Sequence, residues 1–236
     1  MIIADYHTHT RYSHGTGTPE DNVKAAIDRG LSRIAISEHA PAHMLFGVHG
    51  GHLRALRKEV DRLAQKYAAQ IEVLMGLECN LTAYGRADLP SNADLAPFDV
   101  LLLAYHKGVF PLDGFCLART AEAFLHTQPD PVRTANALLA AAEAYHIHMF
   151  AHPGLYVRAD IPTLARGAKE LGVLLEINSA RVTMSQEELR ATAALGAAFV
   201  IGSDAHSPAR VGDFELALST AARAGVLEHV VNYKAG

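Results

Sequence analysis

Residues 1–9 read Met1-Ile2-Ile3-Ala4-Asp5-Tyr6-His7-Thr8-His9. A short apolar run passes directly into an acid and two histidines. His7 and His9 are one residue apart, so on a strand their side chains share a face. The same arrangement recurs down the chain. Residues 33–37 (RIAIS) run into Glu38-His39, residues 71–76 (IEVLMG) into Glu78, and residues 100–104 (VLLLA) into His106. Residues 148–151 (HMFA) are followed by His152, residues 173–177 (VLLEI) by Asn178, and residues 198–202 (AFVIG) by Asp204-Ala205-His206. Helical patterns lie between these runs. Thr18-Pro19-Glu20-Asp21 reads as an N-cap, a first-turn proline and early acids, and Gly30 closes that helix. Leu53, Leu56, Val60, Leu63 and Tyr67 follow helical spacing, as do Ala135, Leu138, Leu139 and Ala142 after Asp130-Pro131. Leu164, Ala168 and Leu171 mark a further helix. Ser185 and Glu188 form a capping box, and Phe214, Leu218 and Ala221 mark a last helix. Residues 230–233 predict a final short strand.

Alternating βα units with nearly continuous apolar strands indicate an α/β fold, a parallel sheet covered by helices. In a parallel β/α barrel all strand C-termini share one face, where active sites sit. Residues scattered over most of the chain are therefore expected to meet in one pocket. Two segments break the rhythm, 80–97 and 110–117, and read as long loops. Long loops in a compact domain are often functional.

The 236 residues are expected to form a single domain over 1–236. Half are hydrophobic and 19% are charged, which excludes a disordered chain. A net charge of −4 supplies no basic field for nucleic acid. Cys79 and Cys116 are too few for a disulfide scaffold. No apolar run is long enough to span a bilayer, and the N-terminus lacks signal-peptide features. A cytoplasmic protein with no membrane partner is the expectation. The 14 histidines stand out, many of them beside Asp or Glu. A lone His-x-His is weak evidence for a metal. Nine His, Asp and Glu residues, each just past an apolar strand, are stronger, because burying them together is costly without a cation. Mixed nitrogen and oxygen donors suit Zn, Mn or Fe.

The set Asp5-Tyr6-His7-Thr8-His9-Thr10, Ser37-Glu38-His39-Ala40-Pro41, Gly76-Leu77-Glu78, His106, His152-Pro153-Gly154 and Gly202-Ser203-Asp204-Ala205-His206 resembles the PHP (polymerase and histidinol phosphatase) family. The resemblance implies a distorted seven-stranded parallel β/α barrel, TIM-like, with the metal site at its C-terminal face. It also implies a cofactor set of two to three divalent transition-metal ions, Zn, Mn or Fe. His7, His9, Glu78 and Asp204 would hold the first. Glu78 would bridge to a second, completed by His106 and His152. His14, His39 and His206 would hold a third.

Glu38, Glu78 and Asp204 are the expected catalytic carboxylates, with Glu38 moving a proton or orienting His39. Lys107, Arg181, Arg11, Arg158 and Arg210 are candidate phosphate-binding residues. His43, His49 and His52 lie after the second strand, near the barrel mouth, and read as ordinary loop and helix-start histidines, with substrate contact the alternative, while His126, His146, His148 and His229 read as structural. The expected activity is a phosphatase acting on a small phosphorylated metabolite, with a hydroxide bridging two metals attacking phosphorus in line. Phosphodiester or nuclease activity, an amidohydrolase and a non-catalytic metal-binding module are alternatives. Within the family, a histidinol-phosphatase of histidine biosynthesis is the alternative to a general phosphoesterase. That specialised substrate needs acceptors for an imidazole and an amine, for which Asp88, Asp94 and Asp113 are available on the loops. If the chain is a general phosphoesterase, these three face solvent.

Overall fold

The computed structural model describes residues 1–89, 98–125 and 130–235. Asp94, Pro97 and His126 lie outside the described residues. The strands are β1 (Ala4–Asp5), β2 (Arg33–His39), β3 (Glu72–Ala83), β4 (Arg86–Ala87), β5 (Val100–Ala104), β6 (Met149–Phe150), β7 (Leu174–Asn178) and β8 (Phe199–Gly202). The helices are α1 (Pro19–Asp28), α2 (Gly50–Tyr67), α3 (Gly114–Leu125), α4 (Pro131–Tyr145), α5 (Ile161–Leu171), α6 (Gln186–Ala194) and α7 (Glu215–Ala224). Strand order is β1-β2-β3-β5-β6-β7-β8, every neighbouring pair parallel. This is the expected seven-stranded barrel.

The seam between β1 and β8 is thin. One parallel bridge, Thr8 to Ala205, spans it, with His9 N donating to Ala205 O at 2.8 Å. The buried Asp5 carboxylate reinforces the seam, accepting from Ser203 N at 3.1 Å and Gly212 N at 2.9 Å. Alternation along the strands divides the core into two layers. Ala35, Leu102, Ala104, Met149, Ala151 and Val200 form a cluster drawn from the strands and their ends, filling the barrel interior. Leu101, Leu103, Leu175 and Ile201 point outward into a larger cluster with the helices' Val23, Leu56, Leu63, Leu138 and Leu164. The predicted helix starts are built as read. Thr18 with Asp21, and Ser185 with Glu188, form complete capping boxes, and Asp130 accepts from Arg133 N.

Three expectations change. Residues 80–87 are not loop: β3 runs on to Ala83 and turns back antiparallel into β4. The polar Asn80 and Thr82 are buried there because their hydrogen bonds are met inside the turn-back. The predicted loop at 110–117 contains the start of α3, which Asp113 caps by accepting from Cys116 N at 2.8 Å. Residues 230–233 form isolated bridges rather than a strand, because the Asn232 side chain occupies the backbone groups of Ile201 and Ala4.

Candidate metal centre

Glu78 is the centre of the site. It projects from β3 and is 1% exposed. Its Oε1 lies 2.9 Å from His152 Nε2, 3.1 Å from His106 Nε2 and 3.3 Å from His7 Nε2. Its Oε2 lies 2.9 Å from His39 Nδ1 and 3.5 Å from His9 Nε2. Asp204 Oδ1 is 3.6 Å from His7 Nε2 and 3.5 Å from His9 Nε2. His14 and His206 complete the cluster, their rings 4.1 Å apart and the His206 ring 4.5 Å from that of His9. All nine sequence-predicted ligands thus meet at the C-terminal ends of the strands. His152 and Asp204 adopt φ of 29° and 50°, strained values for residues with a side chain.

Four groups of three place ligand atoms close enough to share a cation: His7-His9-Asp204, His7-Glu78-His152, His39-Glu78-His106 and His9-His39-His206. The grouping differs from the expected one: His106 and His152 fall into separate groups with Glu78, His39 joins both Glu78 and the His9–His206 group, and His14 borders the cluster outside all four. His7 Nε2, His9 Nε2, His39 Nδ1 and Glu78 Oε2 are buried without a hydrogen-bond partner among the described residues. Buried polar atoms normally have partners. Unpaired lone pairs converging from imidazoles and a carboxylate are what a divalent transition metal satisfies.

The electrostatics fit the same picture. Burial opposes ionisation of Glu78, but His106, His7 and His39 hold its carboxyl well below the usual range. Burial likewise works against Asp204, yet His7 and His9 keep it low. Burial depresses His14 to about 3 and His106 to about 4, leaving both imidazoles free to ligate. His7 moves the other way: burial is outweighed by Glu176, Asp204 and Glu78.

Several supporting residues were not picked out from the sequence. Glu176, buried on β7, takes His7 Nδ1 at 2.8 Å through one oxygen and His152 N at 2.8 Å through the other. Such outer partners fix ring orientation and tautomer. An acid inside the otherwise apolar run VLLEI was the available signal, since a buried charge must have a partner. Gly202 makes room for it. A Cβ there would lie 2.1 Å from Glu176 Oε1 and 3.1 Å from His7 Cβ. Gly202→Ala is therefore expected to push Glu176 off His7 and weaken metal binding by about 10- to 100-fold; titration against a chromogenic chelator measures it.

Glu38 is fully buried and does not line the cleft over the cluster. It accepts from Thr10 N at 2.9 Å and from the Thr10 and Ser13 hydroxyls, so it anchors the segment leading to His14. Burial pushes its carboxyl up to about 7. His43, read as an ordinary loop residue, instead borders the cleft, its ring stacked 4.9 Å from that of His39. His14, Phe46, Leu155 and Tyr156 are further walls of this opening of about 670 Å³. Of the five basic candidates, Lys107 lines it, its Nζ 5.3 Å and 5.6 Å from the Phe124 and Tyr156 ring centres. Arg11, Arg158, Arg181 and Arg210 are exposed and outside this lining, and Arg210 pairs with Asp213 at 2.7 Å. His49 stands at the N-cap position of α2 without a side-chain capping bond, and His146 closes α4 in a left-handed conformation, its backbone N donating to Ala142 O. His148 accepts from Leu101 N at 3.0 Å, the structural role expected of it.

A parallel β/α barrel carrying a carboxylate-centred histidine cluster at its strand ends defines a metallohydrolase scaffold. The PHP domain family model matches residues 5–180, and the chain belongs to that family. A "probable phosphatase" of Shewanella sp. (strain ANA-3) is 31% identical over 91% of this chain and 81% of its own length. A "probable phosphatase" of Thermoanaerobacter sp. (strain X514) is 28% identical over 98% of this chain and 89% of its own. The crystal structure of histidinol phosphate phosphatase from Lactococcus lactis subsp. lactis, complexed with zinc, L-histidinol and phosphate, shares the fold. Its TM-score is 0.63 at 19% identity, with 94% of each chain covered. The protein is a metal-dependent phosphoesterase of the phosphatase class.

Proposed function

We propose that the chain forms one PHP-type barrel domain that hydrolyses small phosphomonoesters with broad selectivity. Two to three divalent transition-metal ions would be held by His7, His9, His14, His39, Glu78, His106, His152, Asp204 and His206. The observation that carries this reading is the Glu78 carboxylate, contacted by five imidazoles within 3.5 Å. Divalent ions at such a site supply a hydroxide nucleophile at neutral pH and Lewis acidity toward phosphoryl oxygens. The chain's own groups do the rest. Glu176 and Asn80 hold the rings of His7 and His106 through their second nitrogens, at 2.8 Å and 2.7 Å. Lys107 stands at the opening as a cation for the phosphate, beside the apolar walls Phe46, Leu155 and Tyr156. Among the described residues lining the cleft, Lys107 is the sole Lys or Arg, which suits a small monoester over a polyanionic strand. No helix among the described residues is long and apolar enough to cross a membrane.

Among the described residues, neither Asp88 nor Asp113 is free to receive a cationic leaving group. Asp88 accepts from Asn80 N, Asn80 Nδ2 and Ala42 N, and Asp113 accepts from Tyr84 N and Cys116 N. Neither faces the cleft as a free acceptor for an imidazole or amine, and neither is the idle solvent-facing carboxylate of the general reading. With Mn- or Zn-loaded protein, kcat/KM for histidinol phosphate is expected within about a hundredfold of that for a simple aryl phosphate, some 2.7 kcal/mol. A larger preference for histidinol phosphate overturns broad selectivity, and hydrolysis of no phosphomonoester overturns the whole reading. Lys107→Gln is expected to raise KM by roughly tenfold with kcat nearly kept, the pattern of lost ground-state binding.

A further inference from the structure

We propose that Asp88 is a positioning residue that sets the tautomer of His106 through Asn80, and that it thereby governs metal affinity at the centre. This rests on the reading that His106 is a metal ligand. The chain of contacts is continuous. Asp88 Oδ1 accepts from Asn80 N at 2.6 Å, and Asp88 Oδ2 accepts from Asn80 Nδ2 at 2.7 Å. The other end of the same amide, Asn80 Oδ1, lies 2.7 Å from His106 Nδ1. His106 Nε2 then lies 3.1 Å from Glu78 Oε1.

The hydrogen-bond logic leaves one arrangement. An ionised carboxylate only accepts, so it selects the NH2 end of Asn80. That turns the carbonyl end of the amide towards His106, and a carbonyl oxygen accepts only from an N–H. The proton of neutral His106 must therefore sit on Nδ1. Nε2 is left with its lone pair directed at the cluster, the form a metal requires. Without Asp88, the Asn80 amide is free to rotate by half a turn and present NH2 to His106. The proton would then move to Nε2 and block the ligating position. Asp88 Oδ2 also accepts from Ala42 N at 2.9 Å, on the segment that carries His43. One carboxylate thus ties two walls of the cleft. It follows β4, in a stretch whose sequence reads as a loop.

Asp88→Ala, which leaves no acceptor for Asn80 Nδ2, tests this. Metal affinity, from competition with a chelator, is expected to fall by about 10- to 100-fold. In the metal-free variant, 15N-detected imidazole spectra are expected to show His106 protonated at Nε2 rather than Nδ1. The double variant Asn80→Asp/Asp88→Ala restores an acceptor opposite His106 Nδ1 and is expected to recover most of the lost affinity and the Nδ1 tautomer. Unchanged affinity and tautomer in Asp88→Ala overturn the proposal. So does a loss that the double variant fails to recover, because Asp88 would then be only a brace for the β3–β4 turn. Wild-type protein that binds no Mn or Zn overturns the metal reading itself, and the imidazole spectra of the metal-free proteins still decide the tautomer claim.

Discussion

Glu78→Gln lowers kcat/KM by about a thousandfold or more while leaving the barrel folded. The expectation follows from charge. Gln has nearly the shape of Glu, so the packing on β3 survives. The change removes a buried negative charge within 3.5 Å of five imidazoles and replaces one acceptor oxygen with an NH2 donor. That amide NH2 has no lone pair to offer a cation, so the lone pairs of His7, His39, His106 and His152 lose the anionic ligand they share. Removing one preorganised electrostatic contact at a reacting centre costs roughly a hundred- to a thousandfold in rate. Loss of an ion shared between ligand groups adds to it. Steady-state kinetics on an aryl phosphate, with circular dichroism to confirm folding and elemental analysis for metal, checks the outcome. A variant with wild-type turnover and full metal content shows that Glu78 is not the shared ligand.

The reasons some of this centre could be read from sequence are geometric. Each ligand stands at or just past the end of a continuous apolar run, and parallel strands bring such ends together whatever their separation in the chain. His7 and Glu78 are thus neighbours although 70 residues lie between them in the chain. The seven-stranded order follows from the same runs. Residues that act through a ligand were harder to see. Asn80 lies two positions beyond Glu78 and shares its face of β3, but a polar residue followed by Thr, Tyr, Gly and Asp resembles the start of a loop. Its burial depends on Asp88 returning across the β3–β4 turn, a tertiary contact no local pattern encodes. Glu176 was hidden within an apolar run and became meaningful only once His7 was beside it. His43 lies on an irregular segment, where no periodicity predicts direction. For Glu38 the reading had the position but not the facing. It precedes His39 on β2, so its side chain turns the other way and meets Thr10 and Ser13 instead of the cleft.

Stripping the metals is expected to lower the melting temperature by at least about 10 °C and to be accompanied by net proton uptake. The stability part follows from mass action. An ion held at a thousand times its dissociation constant stabilises the folded chain by about 4.1 kcal/mol, and at this chain length 1 kcal/mol moves the midpoint by about 2–4 °C. The proton part follows from opposite shifts inside one cluster. His14 and His106 lie near 3 and 4, so they are neutral at pH 7 and exchange no proton when metal comes or goes. His7 and His152 are the reverse. Burial disfavours their charged forms, but Glu176 and then Asp204 and Glu78 raise His7, and Glu78 raises His152. Both shifts favour proton uptake when no cation is present and proton release when one arrives. The sign for the metal-free protein follows. Raised histidines stabilise the fold most below their unfolded value of about 6.5 and lose that contribution as pH rises through their folded values. Depressed His14 and His106 penalise the fold as pH falls below about 6.5, because the unfolded chain then binds protons the fold refuses. Metal-loaded protein, with these nitrogens engaged, resists acid until ligand protonation expels the ions. Calorimetry of loaded and chelator-treated protein from pH 5 to 8, with proton exchange from buffers of different ionisation enthalpy, reads both quantities. Equal melting temperatures and no proton exchange would show that no metal is held by these imidazoles.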